Sequence, residues 1–447
     1  MKSVQTILII ATLLTGVSCE GILEPRPVDR ITNDQVLKDA SSARTVLTGI
    51  YRDFANLGAP TIVAGDLTAD LLVHNGTFVQ YLEISDKEMS ASNGSAGALW
   101  GVIYGLNFSA NFLLEGLPEL DNVSPAVKEE LSATARFLRG YAYFIGTNTY
   151  DGIPLATTSS IEANRDIPRA SKQEIMAFVE EDLLFALDKV PADPFNQGEV
   201  SNGAVKAALA RFYLYQENWS EAEKYATEII DGIGVKTYFL EPEFADVLTD
   251  FSNESILEIV YSANDNPGTS TNFGINNLFE ARREIIPSTD IIQALKNNGG
   301  DRIAMIEFNS ENASGTDNGW TITRYGPFDN IPVLRLGEVY LIRAEARTQL
   351  NQFGAAVSDI NAIRERSGLS PISGNSQNLL LGIIEEERRV EMAFEGHRWY
   401  DLKRTGKVDD VMRSFSPKWD DTDKLWPIPL REIQNNPSLN GQQNPGY

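Results

Sequence analysis

Cysteine and histidine are scarce in this sequence of 447 residues, which contains one cysteine, Cys19, and two histidines, His74 and His397. A single cysteine cannot form an internal disulfide. Two histidines that stand far apart in the chain give little support to a metal site or to a Ser-His-Asp hydrolase. No glycine-rich phosphate loop or dinucleotide fingerprint is apparent either. We therefore predict no cofactor, no metal ion and no catalytic residue.

Basic side chains are outnumbered, because 38 Lys and Arg stand against 62 Asp and Glu and leave a net charge of −24. Such a chain repels phosphate backbones and anionic lipid headgroups. Long hydrophobic runs are also missing after the N-terminal segment, where no stretch reaches the roughly 18 apolar residues that a membrane-spanning helix needs. The sequence therefore predicts a globular protein that does not bind nucleic acid.

The N-terminus has the layout of a bacterial lipoprotein signal. Lys2 supplies a positive charge, an apolar run extends from Ile7 to Leu14, and small residues lead up to Cys19. The apolar run is too short to span a bilayer. Lipoprotein signals usually carry leucine three residues before the cysteine, where this chain has Gly16. We predict that residues 1–18 are removed and that Cys19 carries a lipid; the alternative is an ordinary secretory signal with an incidental buried cysteine.

The residues after the cysteine predict a tether and then one large helical domain. Residues 19–32 are polar and contain Pro25 and Pro27, as suits a link between a lipid and a folded body. From residue 33 to residue 447, apolar residues recur at helical spacing over long stretches. These stretches are 98–117, 125–148, 171–189, 201–231, 335–367 and 377–403.

Two of the helical stretches are typical of helix-turn-helix pairs. Residues 207–229 and 339–363 each place alanines where two helices would touch, with polar turns at 218–220 and 351–354. Tetratricopeptide pairs pack in this way, and each pair needs neighbours to cover its apolar face. Because the two pairs lie far apart in the chain, we expect them to assemble in space and not as a tandem array.

Strand-like material is short, and polar loops surround it. Residues 256–261 and 320–325 alternate or are rich in β-branched and aromatic side chains. The flanking segments 262–277 and 309–319 are dense in Asn, Gly, Ser and Thr. Loops of this length in a compact protein are often functional.

Several ordered motifs carry a resemblance to a known family. The helical run EEERRVEMAFEGHRWYDLKR at 385–404 is followed at the C-terminus by LWPIPLREI at 425–433 and QNPGY at 443–447. Earlier in the chain stand PVLRLGEVYLIRAEA at 332–346 and DINAIRERSGL at 359–369. Together these motifs resemble the RagB/SusD family of outer-membrane nutrient-binding lipoproteins. Looser matches at 48–51, 99–104, 136–141, 150–155 and 300–302 extend the resemblance over almost all of the mature chain.

The resemblance implies both a fold and a function. The fold would be mainly α, a right-handed superhelix of tetratricopeptide-like pairs, with irregular loops and a few short strands on the ligand side. The protein would be lipid-anchored at the outer membrane and exposed on the cell surface. It would bind a nutrient, most plausibly an oligosaccharide, without catalysis and deliver it to a SusC-like TonB-dependent β-barrel transporter. The motif residues Glu387, Arg388, Glu395, His397 and Arg398 would then hold helices together.

A sugar site needs aromatic faces for C–H groups and planar polar groups for hydroxyls. The loops offer nine candidates for ligand binding. They are Asn75, Phe78, Tyr81, Asn93, Asn272, Phe273, Trp320, Arg324 and Tyr325. For Trp320 the alternative is a partly buried ring at a strand end, and for Phe78 and Tyr81 it is a core position. Trp399 and Trp426 lie inside scaffold motifs and are excluded.

Two other classes of function stay open at this point. A glycoside hydrolase would use two carboxylates, but among 62 acidic residues a pair such as Asp66 and Asp70 is expected by chance. A helical scaffold lipoprotein that docks other proteins through a concave surface would share the same fold. Only the ligand separates that scaffold from a nutrient-binding protein.

Overall fold

The structure is a computed structural model that describes residues 36–447 except residues 193, 195 and 262–270; the side chains of residues 271–273 are also not described. The predicted signal 1–18, the tether 19–32 and Cys19 lie outside the described residues. The start of the predicted domain at residue 33 lies just outside them as well.

Helices make up most of the described chain, as the sequence predicts. In chain order they are α1 Ala40–Ala55, α2 Gly58–Ile62, α3 Val79–Ser85, α4 Gly94–Gly116, α5 Pro125–Tyr150, α6 Ile161–Asn164, α7 Lys172–Ala186, α8 Asn202–Tyr215, α9 Trp219–Ile230, α10 Phe244–Val247, α11 Thr271–Asn276, α12 Thr289–Asn298, α13 Leu336–Gln349, α14 Phe353–Arg366, α15 Gln377–Glu391, α16 Arg398–Arg404, α17 Val408–Phe415 and α18 Leu430–Asn435. Helices α2 and α11 continue directly into π-helical segments, Val63–Leu67 and Asn277–Ala281.

The strands form three separate antiparallel pairs. They are β1 Leu72–His74 with β3 Ile285–Pro287, β2 Ser255–Ile259 with β6 Ile331–Arg335, and β4 Ile306–Phe308 with β5 Trp320–Ile322. The predicted strand at 256–261 is thus nearly correct. The strand predicted at 320–325 ends at Ile322, and the residues beyond it enter the core.

Both predicted helix-turn-helix pairs are present. Helices α8 and α9 pack on each other, α13 and α14 do the same, and α9 contacts α13, so the second pair continues the first in space. Tyr213 of α8 and Tyr225 of α9 stack with ring centroids 5.8 Å apart. Ala344 and Ala356 lie at the α13–α14 contact and are fully buried. The small residues therefore allow the close helix approach that the alanine pattern indicated.

The stretch 377–403, predicted as one continuous helical period, is interrupted. Helix α15 ends at Glu391 and α16 begins at Arg398. Between them Phe394 and Gly396 have φ values of 69° and 83°, a region that right-handed helices exclude. The prediction of a continuous helix is wrong here. The spacing of apolar residues cannot show that the backbone reverses, because tertiary contacts impose that reversal.

Helix α4 is the longest apolar element in the described part of the chain. With its short 3₁₀ extension to Glu119, it is the one described helix whose length and composition would suffice to cross a membrane. Nearly half of its apolar window is buried inside the protein, where it packs against α1 and α5. Asn93 caps its first turn by accepting hydrogen bonds from the amides of Ser95 and Ala96. We therefore assign α4 to the core of the helical scaffold.

The family-like helices are joined by buried ion pairs. Glu391 of α15 accepts hydrogen bonds from Arg302, Arg335 and Arg366, all of which are nearly inaccessible to solvent. Arg335 also pairs with Glu395 at 2.8 Å. Further along the chain, Arg388 pairs with Asp401, and Arg398 pairs with Asp70. His397 is also buried, and this burial lowers its pKa to about 4. These motif residues serve the scaffold, as the resemblance implies.

A close backbone contact allows a stability test. A Cβ at Gly65 would overlap the carbonyl of Gly396, whereas a Cβ at Gly49 in α1 would meet no atom within 4 Å. We expect Gly65→Ala to lower the free energy of unfolding by at least about 2 kcal/mol through overpacking. Gly49→Ala should raise it by roughly 0.5–1 kcal/mol, because alanine is the better helix former. Denaturant unfolding of wild type and both variants measures the free energy of unfolding. Equal values for Gly65→Ala and Gly49→Ala would contradict the close contact between Gly65 and Gly396.

Candidate functional site

A pocket of about 220 Å³ opens beside the turn that follows β1. Five parts of the chain form its walls: α2 with its π-helical segment, the 78–81 region, the first turns of α4, α11 with its π-helical segment, and Trp426 near the C-terminus. The lining residues are Ala59, Pro60, Val63, Phe78, Tyr81, Ser95, Ala98, Gly274, Asn277, Leu278 and Trp426.

Two of the nine sequence-predicted residues, Phe78 and Tyr81, line this pocket. Their ring centroids lie 6.2 Å apart at an interplanar angle of 55°, and both rings are partly buried. The guanidinium of Arg282 covers one side of Phe78 at 4.4 Å from the ring centroid. Burial raises the pKa of Tyr81, and the nearby charge of Glu284 adds to the effect. The Tyr81 hydroxyl therefore stays protonated and can both donate and accept a hydrogen bond.

The turn that presents Phe78 is built around the buried carboxylate of Glu284. Its Oε1 accepts hydrogen bonds from the backbone amides of Thr77, at 2.5 Å, and of Phe78. The same oxygen lies 3.2 Å from Nε2 of His74. A Cβ at Gly76 would overlap the Glu284 carboxylate, so glycine is required for this approach. Residue 284 thus fixes the position of the aromatic wall without contacting the pocket.

Asn75 is a structural link and does not line the pocket. Its Nδ2 donates to the carbonyl oxygen of Arg283 at 3.0 Å and to Oδ2 of Asp317 at 3.1 Å. Asp317 in turn pairs with Arg283 at 2.5 Å. The segment that carries the candidates Asn75 and Phe78 is therefore joined to the predicted loop 309–319, although neither pattern alone indicated that they meet.

Trp320 is a partly buried ring at the start of β5, which is the alternative stated for it above. Its ring lies 5.3 Å from that of Phe308, and Nζ of Lys296 sits 4.5 Å from its centroid. It does not line the pocket beside Phe78.

Three predicted ligand contacts are corrected because the residues are committed to the interior. Asn93 is 4% exposed; besides capping α4, it donates to the carbonyl oxygen of Gln80 and to Glu83. Tyr325 is 1% exposed and donates to the carbonyl oxygen of Phe394. Arg324 is 4% exposed and pairs with Glu395. All three side chains therefore stabilise the scaffold and do not face an open surface.

Asn272 and Phe273 belong to the residues whose side chains the structure does not describe. Their backbone is part of α11, whose Gly274 lines the pocket. The prediction that they contact a ligand stays a prediction.

Several pocket residues were missed at the level of sequence. Ser95 and Ala98 lie in the first turns of an apolar core helix, and Pro60 lies in a short helix that no pattern singled out. Asn277 begins a π-helical segment, and such segments are frequent at functional sites. In the sequence, the signal that could have pointed to Asn277 was its place at the end of the Asn-rich segment 262–277. Trp426 was excluded as scaffold; it is 1% exposed and donates through Nε1 to Thr68, but it also lines the pocket.

The acidic pair Asp66 and Asp70 lies in the interior, away from the pocket. Asp66 accepts hydrogen bonds from the amides of Gly396 and Arg398, and burial raises its pKa to about 7. Asp70 is held by Arg398 and Arg389. Both carboxylates thus have structural partners. Within the described ranges, no group of three or more His, Cys, Asp or Glu side chains is arranged to hold a metal ion.

Family models and solved structures similar to this chain identify the class of protein to which its helical scaffold belongs. A family model described as "SusD family" matches residues 312–447, and one described as "Starch-binding associating with outer membrane" matches residues 60–214. The fold is shared with a laminarin-binding SusD-like protein, with a TM-score of 0.79 at 24% identity over 92% of this chain and 100% of that one. A SusD superfamily protein from Bacteroides thetaiotaomicron also gives 0.79, at 21% identity over 91% and 100%.

The sequence relatives agree with the shared fold. A SusD-like protein from Formosa agariphila is 26% identical over 99% of this chain and 98% of its own length. The starch-binding protein SusD from Bacteroides thetaiotaomicron is 32% identical over 27% of this chain and 22% of its own length. The chain therefore belongs to the SusD-like family.

The role of Glu284 can be tested without a ligand. We expect Glu284→Ala to raise the hydrogen-exchange rates of the Thr77 and Phe78 amides by at least about tenfold, because both lose their acceptor and gain solvent access. Glu284→Gln is the matched control, since its amide oxygen can still accept one of the two bonds. Unchanged exchange in Glu284→Ala would show that the turn is held by other contacts.

Proposed function

We propose that this protein captures an oligosaccharide, without catalysis, in the pocket beside Phe78 and Tyr81. The observation that carries the proposal is a pair of adjacent, partly exposed rings set over a concave wall of small residues in a SusD-like scaffold. Ring faces suit the C–H surface of a pyranose, and nearby polar groups suit its hydroxyls. The names of a laminarin-binding and a starch-binding family member support a glycan as ligand.

The composition of the pocket supports binding without hydrolysis. Glycoside hydrolases require two carboxyl groups about 5 to 9.5 Å apart across the scissile bond. Among the described residues, the pocket lining contains neither Asp nor Glu. Glu284, the carboxylate behind Phe78, is buried and already accepts two amide hydrogen bonds. A capture protein needs no acid or base at this position.

The N-terminal sequence supports a place for this capture at the outer membrane. The Cys19 signal pattern would attach the mature chain by lipid, and one matching family model is described as associating with the outer membrane. In the proposed function the chain delivers its ligand to a SusC-like TonB-dependent barrel beside it. An anchored but unembedded protein would have the freedom of movement that such a transfer needs.

Aromatic truncation tests the binding site. A binding screen first identifies a glycan that the protein binds. We expect Phe78→Ala and Tyr81→Ala each to raise the Kd for that glycan at least about tenfold, or ~1.4 kcal/mol, because the contact with a ring is lost. Phe239→Ala is the matched control, because that ring is 52% exposed and does not line the pocket. Isothermal calorimetry measures the affinity of these three variants and of Trp320→Ala. We expect Trp320→Ala to weaken binding less than Phe78→Ala or Tyr81→Ala. Cleavage of the glycan, or unaltered affinity in Tyr81→Ala, would contradict the proposal.

Lipid attachment has its own test. We expect Cys19→Ala to move the protein from the membrane fraction to the soluble fraction, because a single apolar run of this length is not a stable membrane anchor. Fractionation of cells that express wild type or the variant measures this, with Ser18→Ala as a neighbouring control. A variant that remains in the membrane fraction would show that Cys19 is not the anchor.

A further inference from the structure

We infer that the pocket selects uncharged saccharide units and discriminates against uronic acid and sulfated units. This inference rests on the proposed glycan site and names the class of ligand that it takes.

The described lining residues carry no formal charge. None of the eleven is Asp, Glu, Lys, Arg or His. Their polar groups are the Tyr81 hydroxyl, the Ser95 hydroxyl and the Asn277 amide, each of which can donate and accept hydrogen bonds. Such groups match sugar hydroxyls. A carboxylate or sulfate would lose its hydration here without gaining a cation, which is costly for an ionised group.

The cations nearest to the aromatic residues lie beside protein groups. Arg282 lies over the Phe78 ring and 3.8 Å from Glu284, with 44% of its side chain exposed, and Arg283 pairs with Asp317. Lys296 lies over the ring of Trp320, outside the pocket lining. Of these three cations Arg282 is the one that an anionic sugar at the pocket edge could reach, and the charge of Glu284 beside it offsets its attraction.

Negative charge lies directly behind the pocket wall. The Glu284 side chain is 2% exposed, and its carboxylate lies against the backbone of Thr77 and Phe78. Its charge contributes to the raised pKa of Tyr81, after burial, so its field reaches the pocket. The whole chain adds a net charge of −24. Both fields oppose the approach of an anionic ligand.

The first experiment compares one glycan in two charge states. A neutral glycan that binds in the screen is treated so that part of its primary hydroxyls become carboxylates, and both forms are titrated into the full chain at low and high salt. We expect the oxidised form to bind at least about tenfold more weakly at low salt, with part of the loss recovered at high salt because charges are screened. Equal affinity of both forms would overturn the inference.

The second experiment places a cation in the pocket. Ala98 lines the pocket on the exposed side of α4, so Ala98→Lys adds a positive charge at the lining and Ala98→Gln adds comparable bulk without charge. We expect the affinity ratio of oxidised to neutral glycan to rise severalfold in Ala98→Lys and to stay at the wild-type value in Ala98→Gln. The same ratio in both variants would overturn the inference.

The screen itself separates this inference from the proposed function. Binding of an anionic glycan that Tyr81→Ala abolishes would preserve the glycan site and overturn the selectivity. Failure of every neutral and anionic glycan to bind would overturn both proposals. Binding of neutral glycans alone, lost in Tyr81→Ala, is the result expected if both hold.

Discussion

The structure depends on the buried carboxylate of Glu391. Three guanidinium groups, from Arg302, Arg335 and Arg366, converge on it from different parts of the chain. Burial alone would raise its pKa, but these three cations outweigh burial and hold it well below its usual value. Removing one partner from such a cluster is strongly destabilising, because it leaves a buried charge without compensation. The cluster therefore fixes the position of the C-terminal end of α15.

The position of α15 is passed on to the pocket through a backbone contact. After Glu391 the chain reverses, and Gly396 touches Gly65 in the π-helical segment that follows α2. Asp66 accepts hydrogen bonds from the amides of Gly396 and Arg398, which ties the same segment to the start of α16. Val63 of that segment lines the pocket. The Glu391 cluster and the pocket are therefore linked through the contact between Gly396 and the π-helical segment. A site placed on such a scaffold is preorganised.

Much of the fold could be predicted from the sequence, but only part of the site. Helical periodicity located both helix-turn-helix pairs, since their alanines report a local requirement of helix packing. Phe78 and Tyr81 were found because a sugar site needs aromatic faces and these two rings stand next to polar residues in the sequence. Tyr325 was assigned wrongly, because a local pattern cannot show that a strand turns inward after Ile322. Pro60, Ser95 and Asn277 were missed because they meet only through contacts between distant segments.

The small aromatic surface of the pocket suits capture followed by transfer. Two rings 6.2 Å apart offer limited contact area, and affinity differences between related complexes reside mainly in the dissociation rate. A neutral lining gives no ion pair to slow dissociation further. In the proposed function the protein releases its ligand to a partner and would gain from fast dissociation, whereas an enzyme would need binding energy directed at a transition state. The absence of charge that would select the ligand would therefore also allow it to leave.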